Sequence, residues 1–179
     1  MSVQVEESSI LEDQELEEVA SLEHGAIVTQ LLLRVASYAQ LKQLGQVFAP
    51  QTSFKFKGKT QLRREPDLAF VVTARLPTNF RIEADFAPDL AAEVISKNDK
   101  DFEIETKVKQ YQKSGVRLVW LIRPLSQTVS VYRLETELVP QVLGPQQELS
   151  GEEIIPGFKL KVSELFANIP VINDDEEFE

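Results

Sequence analysis

Arg64-Glu65-Pro66-Asp67 and Pro88-Asp89-Leu90-Ala91-Ala92-Glu93-Val94-Ile95-Ser96 are the two most informative stretches of this chain. Residues 67–72 and 89–95 are aliphatic runs entered through a proline, which is typical of short buried strands. Each run carries an acidic residue where the pattern calls for an aliphatic one, and Lys107 follows on a predicted helix. Two carboxylates and a lysine are the minimum set for holding a divalent metal and activating water against a phosphodiester.

The spacing of the acidic residues selects one pair. If the two runs form an antiparallel hairpin around the loop 74–87, the start of the first strand lies opposite the end of the second, which brings Asp67 beside Glu93. Asp89 then lies roughly opposite residue 71. Four residues along a strand span ~13 Å, too far for Asp89 and Glu93 to share one small cation. We therefore predict that Asp67 and Glu93 bind the metal and that Asp89 forms hydrogen bonds at the strand entry.

Helical spacing selects the lysine. Ile104, Val108 and Tyr111 form the apolar face of the predicted helix. Lys107 lies on the edge of that face, whereas Lys109 points elsewhere. A lysine on such an edge either extends its amine to water or, facing two buried acids, stays charged and assists the attacking water or the phosphate. The sequence leaves both open, and Tyr111 is a candidate supporting residue.

The start of the first helix contributes two further polar residues. Ser21 is a predicted N-cap, and His24, the single histidine of the chain, is expected to serve capping or packing rather than catalysis. Glu23 is a candidate supporting residue that reaches the metal through water if the helix start abuts the hairpin. Asp89 is kept as a candidate in the same supporting class.

The remaining patterns predict an α/β (α+β mixed) fold with the element order α-β-β-β-α-β-β. In this order a helix lies between two strands that are expected to run parallel. The predicted elements are a helix that begins after Ser21 and is ended by Gly45, strands at 52–57, 67–72 and 89–95, a helix from a cap at Asn98 or Asp99 to Ser114, and strands at 118–122 and 128–134. Phe54 and Phe56 are expected to point inward, with a turn at Gly58-Lys59.

The net charge of −10 is concentrated at the two ends. Residues 1–23 hold eight acids and residues 170–179 hold five, with no base in either, so residues 24–169 carry a net charge of +3. We expect an acidic, partly disordered arm at 1–20, a folded domain at 21–168 and an acidic disordered tail at 169–179. The basic residues of one short segment are candidate nucleic-acid contacts, although such a run also fits the solvated face of a strand: Lys55, Lys57, Lys59, Arg63 and Arg64.

Cysteine usage and hydropathy exclude several classes of protein. The chain has no cysteine, which excludes disulfides, zinc thiolates and thiol catalysis. Its apolar runs are far shorter than the ~18 residues that a membrane span requires, and no basic-then-apolar start suggests a signal peptide. We expect a cytoplasmic protein without a membrane partner.

These residues resemble the Uma2 family (DUF820), within the PD-(D/E)xK restriction-endonuclease-like superfamily, over roughly residues 22–168. The resemblance rests on an ordered set of motifs: Glu23-His24-Gly25, residues 64–67, residues 88–96, Asp99, residues 107–111, Gly115-Val116, Trp120-Leu121-Ile122 and Ile155-Pro156-Gly157-Phe158. It implies a restriction-endonuclease-like core, a central mixed sheet flanked by helices, in which the Asp of one strand and the Glu of the next hold Mg2+. In that superfamily the lysine usually stands two residues after the acid, where this chain has Ile95. The resemblance implies that the lysine has moved to the following helix, where Lys107 stands.

Three functions are compatible with these residues. The first is an Mg2+- or Mn2+-dependent endonuclease that acts on DNA through Asp67, Glu93 and Lys107, as a homodimer able to cut both strands. In it, a backbone carbonyl near Val94 assists the metal and the basic segment binds phosphates. The second is a catalytically inactive binding or assembly module that retains the fold, with structural acids and with acidic tails as partner-binding arms. The third is another nucleic-acid enzyme on the same site, such as a resolvase or an RNA nuclease.

Overall fold

The computed structural model of the chain describes residues 21–56, 62–97, 99–136 and 139–170. Two α-helices lie in these residues, α1 (Leu22–Leu41) and α2 (Asp101–Lys113). Ten strands accompany them: β1 (Gly45–Phe48), β2 (Phe54–Phe56), β3 (Leu62–Arg64), β4 (Leu68–Val72), β5 (Leu90–Val94), β6 (Leu118–Arg123), β7 (Thr128–Arg133), β8 (Gln141–Leu143), β9 (Glu148–Ser150) and β10 (Lys159–Lys161). Short 3-10 turns occupy Thr73–Arg75, Leu134–Thr136 and Val162–Leu165.

A mixed six-stranded sheet carries the fold, in the order β1-β4-β5-β6-β7-β8. All of its neighbouring strands are antiparallel except β5 and β6, which run parallel and are joined through α2. Two hairpins, β2–β3 and β9–β10, form separate two-stranded sheets. The predicted class, a central mixed sheet flanked by helices, is confirmed.

The two faces of the central sheet are covered by different elements. On one face, the α1 residues Ile27, Leu31 and Val35 join a core with Trp120 and Phe158. On the other face, Ile104, Val108 and Tyr111 of α2 join a core that includes Phe54 and Phe56 of β2. Alternate residues of the central strands point to opposite faces, so β4 and β5 are buried on both sides.

Helix α1 begins where the sequence predicts and ends earlier. Ser21 is its N-cap, and the Ser21 side chain accepts a hydrogen bond from the backbone N–H of His24. The helix ends at Leu41, so the prediction that Gly45 ends it is wrong; Gly45 instead begins β1. A Cβ at Gly45 would lie 2.1 Å from the carbonyl oxygen of Val71, so only glycine fits where β1 lies against β4.

Helix α2 has a different N-cap from the one predicted. The cap position is Lys100, which makes no side-chain capping hydrogen bond. The Asp99 carboxylate instead accepts a hydrogen bond from the backbone N–H of Ser96 at 2.7 Å, in the turn before the helix. Asn98, the other predicted cap, lies outside the described residues. Gly115 follows the helix with a φ of +88°, a conformation that favours glycine, as expected for its stop.

The strands that the sequence analysis missed are short. β1, β3, β8, β9 and β10 each contain three or four residues, too few to display an alternating pattern. The inward positions of Phe54 and Phe56 are confirmed, since both are buried. The Gly58-Lys59 turn, the arm 1–20 and residues 171–179 of the tail lie outside the described residues, and those expectations stay predictions.

Candidate active site

The β4–β5 hairpin places the two predicted metal ligands opposite each other. Its register pairs Leu68 with Ala92 and Phe70 with Leu90. One further step in each direction sets Asp67 opposite Glu93 and Val71 opposite Asp89, which is the predicted arrangement. Directly opposed residues of an antiparallel pair have Cβ atoms about 5 Å apart on the same face. The acidic pair therefore lies at one end of the hairpin, on the side that α2 covers.

Asp67 is held from two sides through a single oxygen. Its Oδ2 accepts a hydrogen bond of 2.8 Å from the backbone N–H of Val94, across the end of the hairpin. The same oxygen lies 3.2 Å from Nε2 of His24, in the first turn of α1. These contacts fix the orientation of the carboxylate. No described residue makes a hydrogen bond to Oδ1, which stays available to a ligand.

Glu93 is a buried carboxylate with two partners on α2. Lys107 Nζ lies 3.3 Å from its Oε2, and the Tyr111 hydroxyl donates a short hydrogen bond to Oε1. Burial raises the pKa of Glu93 above its ordinary value, while Lys107 and the Tyr111 hydrogen bond oppose that shift. Burial and the neighbouring Glu93 charge hold the pKa of Tyr111 well above 10.0, so its hydroxyl remains a donor.

The sequence explains why α2 reaches Glu93 so closely. Ala91 lies next to α2 on the covered face of β5, and its small side chain lets the helix approach the sheet. Tyr111 is fully buried, whereas Lys107 remains 37% exposed and turns its ammonium group back toward Glu93. Lys109, by contrast, lies 3.5 Å from the exposed Glu105. Helical spacing predicted that Lys107, and not Lys109, lies beside the apolar face of α2, and the ion pairs of the two lysines agree with this placement.

His24 is the residue of this site that the sequence analysis did not assign to it. Its backbone N–H takes part in the predicted cap, but its side chain faces Asp67. The hydrogen bond to Asp67 raises the pKa of His24, burial opposes the shift, and the charges of Asp67 and Glu93 add to it. The predicted N-cap could have indicated this, because Ser21 places His24 in the first turn of α1. Glu23 is exposed and makes no hydrogen bond or ion pair with a described residue.

Asp89 lies at the opposite end of β5, among cations. Only 1% of Asp89 is exposed, and its Oδ1 accepts hydrogen bonds of 2.8 Å from both Arg75 and Arg117. Its Oδ2 accepts from the backbone N–H of Val72 at 2.9 Å. Asp89 thus ties the end of β4 to the starts of β5 and β6, as predicted for a strand-entry residue.

The predicted basic segment is divided between two faces of the β2–β3 hairpin. Lys55 lies opposite Arg63 on the outer face, where Arg63 forms an ion pair of 2.6 Å with Glu83. Arg64 lies opposite the buried Phe54 and donates hydrogen bonds to the Gln110 side chain of α2. The segment is therefore not one continuous cationic surface in its described part, and Lys57 and Lys59 lie outside the described residues.

The donor set fits a hard cation that keeps much of its water. Among the described residues, no group of three or more histidine or acidic side chains is arranged to hold a metal ion. An ion here would bind the two opposed carboxylates and take its other ligands from water and a backbone carbonyl. Mg2+ is commonly bound in this way, through one or two carboxylates with several waters retained. A zinc site would instead need three or four protein ligands, typically with nitrogen or sulfur among them.

Comparisons with known proteins bear on the fold and on the family of the chain. The chain is similar, at a TM-score of 0.72 and 22% identity, to the crystal structure of a protein from Anabaena variabilis ATCC 29413 described as "a putative nuclease belonging to DUF820". The similarity covers 83% of this chain and 82% of that one, and at this identity it shows the fold alone. No curated protein matches the chain.

In the described part of the chain, neither helix is long and apolar enough to cross a bilayer.

The model of one family, Uma2, whose description is "Putative restriction endonuclease", matches residues 6–163. This match extends over most of the sequence and includes all of the acidic, lysine and histidine residues of the site. The chain belongs to the Uma2 family of restriction-endonuclease-like proteins.

Proposed function

We propose that this protein is an Mg2+- or Mn2+-dependent endonuclease that hydrolyses phosphodiester bonds in DNA. The observation that carries the proposal is the opposed pair Asp67 and Glu93, with Lys107 at 3.3 Å from Glu93, in a chain of a restriction-endonuclease-like family. Buried acids with a charged partner and a perturbed pKa are concentrated at sites that perform chemistry.

Each residue has a separate role in the proposed reaction. Asp67 and Glu93 would hold the cation, which when bound supplies positive charge at the phosphate and lowers the pKa of water. Lys107 donates from Nζ to the attacking water or to a phosphate oxygen, where it offsets developing negative charge. Tyr111 keeps one oxygen of Glu93 in place, and His24 does the same for Asp67.

The proposal also includes contacts to the phosphate backbone, a dimer and a location in the cell. Lys55, Arg63 and Arg64 are the described candidates for phosphate contacts, with Lys57 and Lys59 beside them in sequence. A homodimer would present two sites and cut both strands of a duplex. We place the enzyme in the cytoplasm, where Mg2+ and nucleic acid are both present.

Metal binding and cleavage test the proposal together. Calorimetry with Mg2+ and Mn2+ should give stoichiometric binding for the wild type, and Glu93→Gln should lose it. With supercoiled plasmid as substrate, Lys107→Met should slow cleavage about 100-fold or more, since general acid–base groups typically contribute that much. Lys109→Met is the matched control because Lys109 lies on the same helix and pairs with the exposed Glu105. Absence of binding at millimolar metal, or equal loss in both lysine variants, would reject the nuclease.

One observation favours a second function, a catalytically inactive binding or assembly module. Glu93 already has Lys107 and Tyr111 as partners, and Asp67 has His24 and the Val94 N–H, so the acids are satisfied without an ion. This reading predicts that the wild type binds nucleic acid or a protein partner equally well in Mg2+ and in EDTA, and never cleaves. A panel of plasmid, four-way junction and RNA substrates separates it from a resolvase or an RNA nuclease.

A further inference from the structure

One recess of the fold is lined mainly by aromatic rings. It has a volume of about 370 Å³, and it opens between the end of β1, the start of β2 and the loop that leads toward β5. Phe48, Phe54, Phe80 and Phe86 form its walls, with Thr52, Ser53 and Asn79 as polar groups at its rim. A largely apolar recess with a few convergent polar groups is the usual form of a small-molecule or base-binding site.

The rings of this recess present an open stacking surface. Phe80 is 60% exposed and lies nearly parallel to Phe48, with an interplanar angle of 23° and centroids 6.2 Å apart. Phe54 supports Phe48 from behind in an edge-on contact of 5.7 Å. Phe80 is thus held by another ring while much of its surface meets solvent, an arrangement that a flat aromatic ligand would cover.

The charges around the recess suit a nucleotide. Glu83, the acidic residue of the lining, is neutralised by the two contacts that Arg63 makes with its carboxylate, at 2.6 and 3.1 Å. Lys55 and Arg81 adjoin the lining residues Phe54 and Phe80 in sequence, and neither forms an ion pair with a described acid, which leaves both cations free for phosphate. The Lys55 backbone N–H is bonded to the carbonyl of Ala84, a residue of the lining, so Lys55 is fixed close to the opening.

The recess and the acidic pair share one face of the sheet. Phe56 contacts the ring of Tyr111 at 5.7 Å, and Phe54 stands two residues before Phe56 on β2, a spacing of ~7 Å. Phe48 follows at a further 5.7 Å from Phe54. These contacts link the recess to Tyr111, the partner of Glu93, through packed and mostly buried rings.

We propose that this recess binds an unstacked nucleobase, so that the protein takes single-stranded or locally opened DNA beside the scissile phosphate. Bases in a closed duplex do not expose their faces, whereas single-stranded nucleic acid is held by stacking on aromatic side chains next to a cationic path. In this proposal Phe80 provides the stacking surface, and Lys55 and Arg81 receive the adjoining phosphates. The inference rests on the proposed function, because it names the form of substrate that the Asp67–Glu93 site receives.

Binding measured without catalysis tests the inference separately from the nuclease. Fluorescence anisotropy in EDTA, with a labelled (dT)15 strand and a labelled duplex of equal length, compares the wild type with Phe80→Ala and Phe80→Tyr. Phe80→Ala should weaken single-strand binding roughly five- to hundredfold, the range of one lost base stack. Phe80→Tyr should restore binding, and duplex binding should change less than twofold. Leu41→Ala, which removes a side chain 77% exposed at the far end of α1, is the surface control.

An abasic strand provides the second arm. A (dT)15 strand with abasic positions at its centre should bind the wild type more weakly and should show no further loss with Phe80→Ala. Equal single-strand affinity for the wild type and Phe80→Ala overturns the inference, and so does an equal loss for single strand and duplex. If Phe80→Ala alters sedimentation but not strand binding, the recess is a protein interface and the inference is again wrong. The two proposals fail in different measurements. If the wild type binds no metal but Phe80→Ala still weakens strand binding, the nuclease is rejected and the recess is retained.

Discussion

The buried carboxylate of Glu93 couples the site to the stability of the fold. Because burial raises its pKa above the ordinary 4.5, the stabilising contribution of its protonated form is complete below pH 4.5. That contribution is lost as the pH rises through the raised folded value, where a charge must be held inside the protein.

Glu93→Gln should therefore gain stability relative to the wild type as the pH increases from 4.5 to 8. Urea unfolding in EDTA at both pH values gives the difference in the free energy of unfolding, which should be larger at pH 8. Glu105→Gln is the control, since Glu105 is exposed and pairs only with Lys109. A difference for Glu93→Gln that does not vary with pH would show that its carboxyl is not perturbed.

We expect His24 to influence a metal bound at this site through its contact with Asp67. The contact of 3.2 Å restrains Oδ2 of Asp67, while Oδ1 has no hydrogen bond from a described residue. Loss of a group that orients a ligand typically costs 10- to 100-fold in metal affinity.

We expect His24→Ala to weaken Mg2+ or Mn2+ binding about tenfold, and His24→Gln to weaken it less because an amide N–H can replace the ring N–H. Calorimetry at pH 8 is the appropriate measurement, because the pKa of His24 is raised and its protonated form would compete with the cation at lower pH. An affinity for His24→Ala equal to that of the wild type would limit His24 to packing and capping.

At the scale of elements, Asp89 connects three strands. Its carboxylate is buried, while Arg75 and Arg117 are each 40% exposed, so the arginines can recover water when Asp89 is lost. We therefore expect that breaking this cluster lowers the free energy of unfolding by an amount at or below the lower end of the range measured for buried ion pairs.

Asp89→Asn should lower the free energy of unfolding by about 2–3 kcal/mol. Chemical denaturation checks the value, with Asp101→Asn as control because the Asp101 side chain is 93% exposed and 3.9 Å from Arg123. Metal affinity of the folded Asp89→Asn protein should match that of the wild type, since Asp89 lies at the other end of β5. A change in metal affinity without a loss of stability would reverse the roles assigned to Asp89 and Glu93.

The elements that sequence predicted are those with internal periodicity. The hairpin register follows from two aliphatic runs bounded by Pro66 and Pro88, and Lys107 follows from the helical spacing of Ile104 and Tyr111. His24 could not be assigned in the same way, because its contact with Asp67 joins residues 43 positions apart and depends on how α1 packs on the sheet. The short strands such as β1 and β8 are likewise defined by their neighbours rather than by their own pattern.

At the scale of the whole molecule, charge is distributed unevenly. Residues 170–179 hold five acids and no base, whereas residues 24–169 are net positive. Such a segment competes with a phosphate backbone for the same cations when the salt concentration is low.

Replacing the five acids of residues 170–179 by their amides should tighten DNA binding in 50 mM salt. The gain should shrink above about 0.15 M salt, where the Debye length falls to ~8 Å. Anisotropy titrations over a salt series measure the effect, and a variant with the same ten residues in scrambled order is the control. If the scrambled tail behaves like the neutralised one, the order of the residues matters and charge alone does not.

The two acidic residues at the ends of β5, Asp89 and Glu93, have different partners. Asp89 and Glu93 are four residues apart on the same face, yet Asp89 is held by two arginines and Glu93 by Lys107 and Tyr111. The residues that hold the strands together at the Asp89 end of β5 are thereby separate from the candidate site residues at the Glu93 end. A protein engineer could therefore replace the side chains at positions 67, 93 and 107 and leave the Asp89 cluster with Arg75 and Arg117 unchanged, so that the fold is retained.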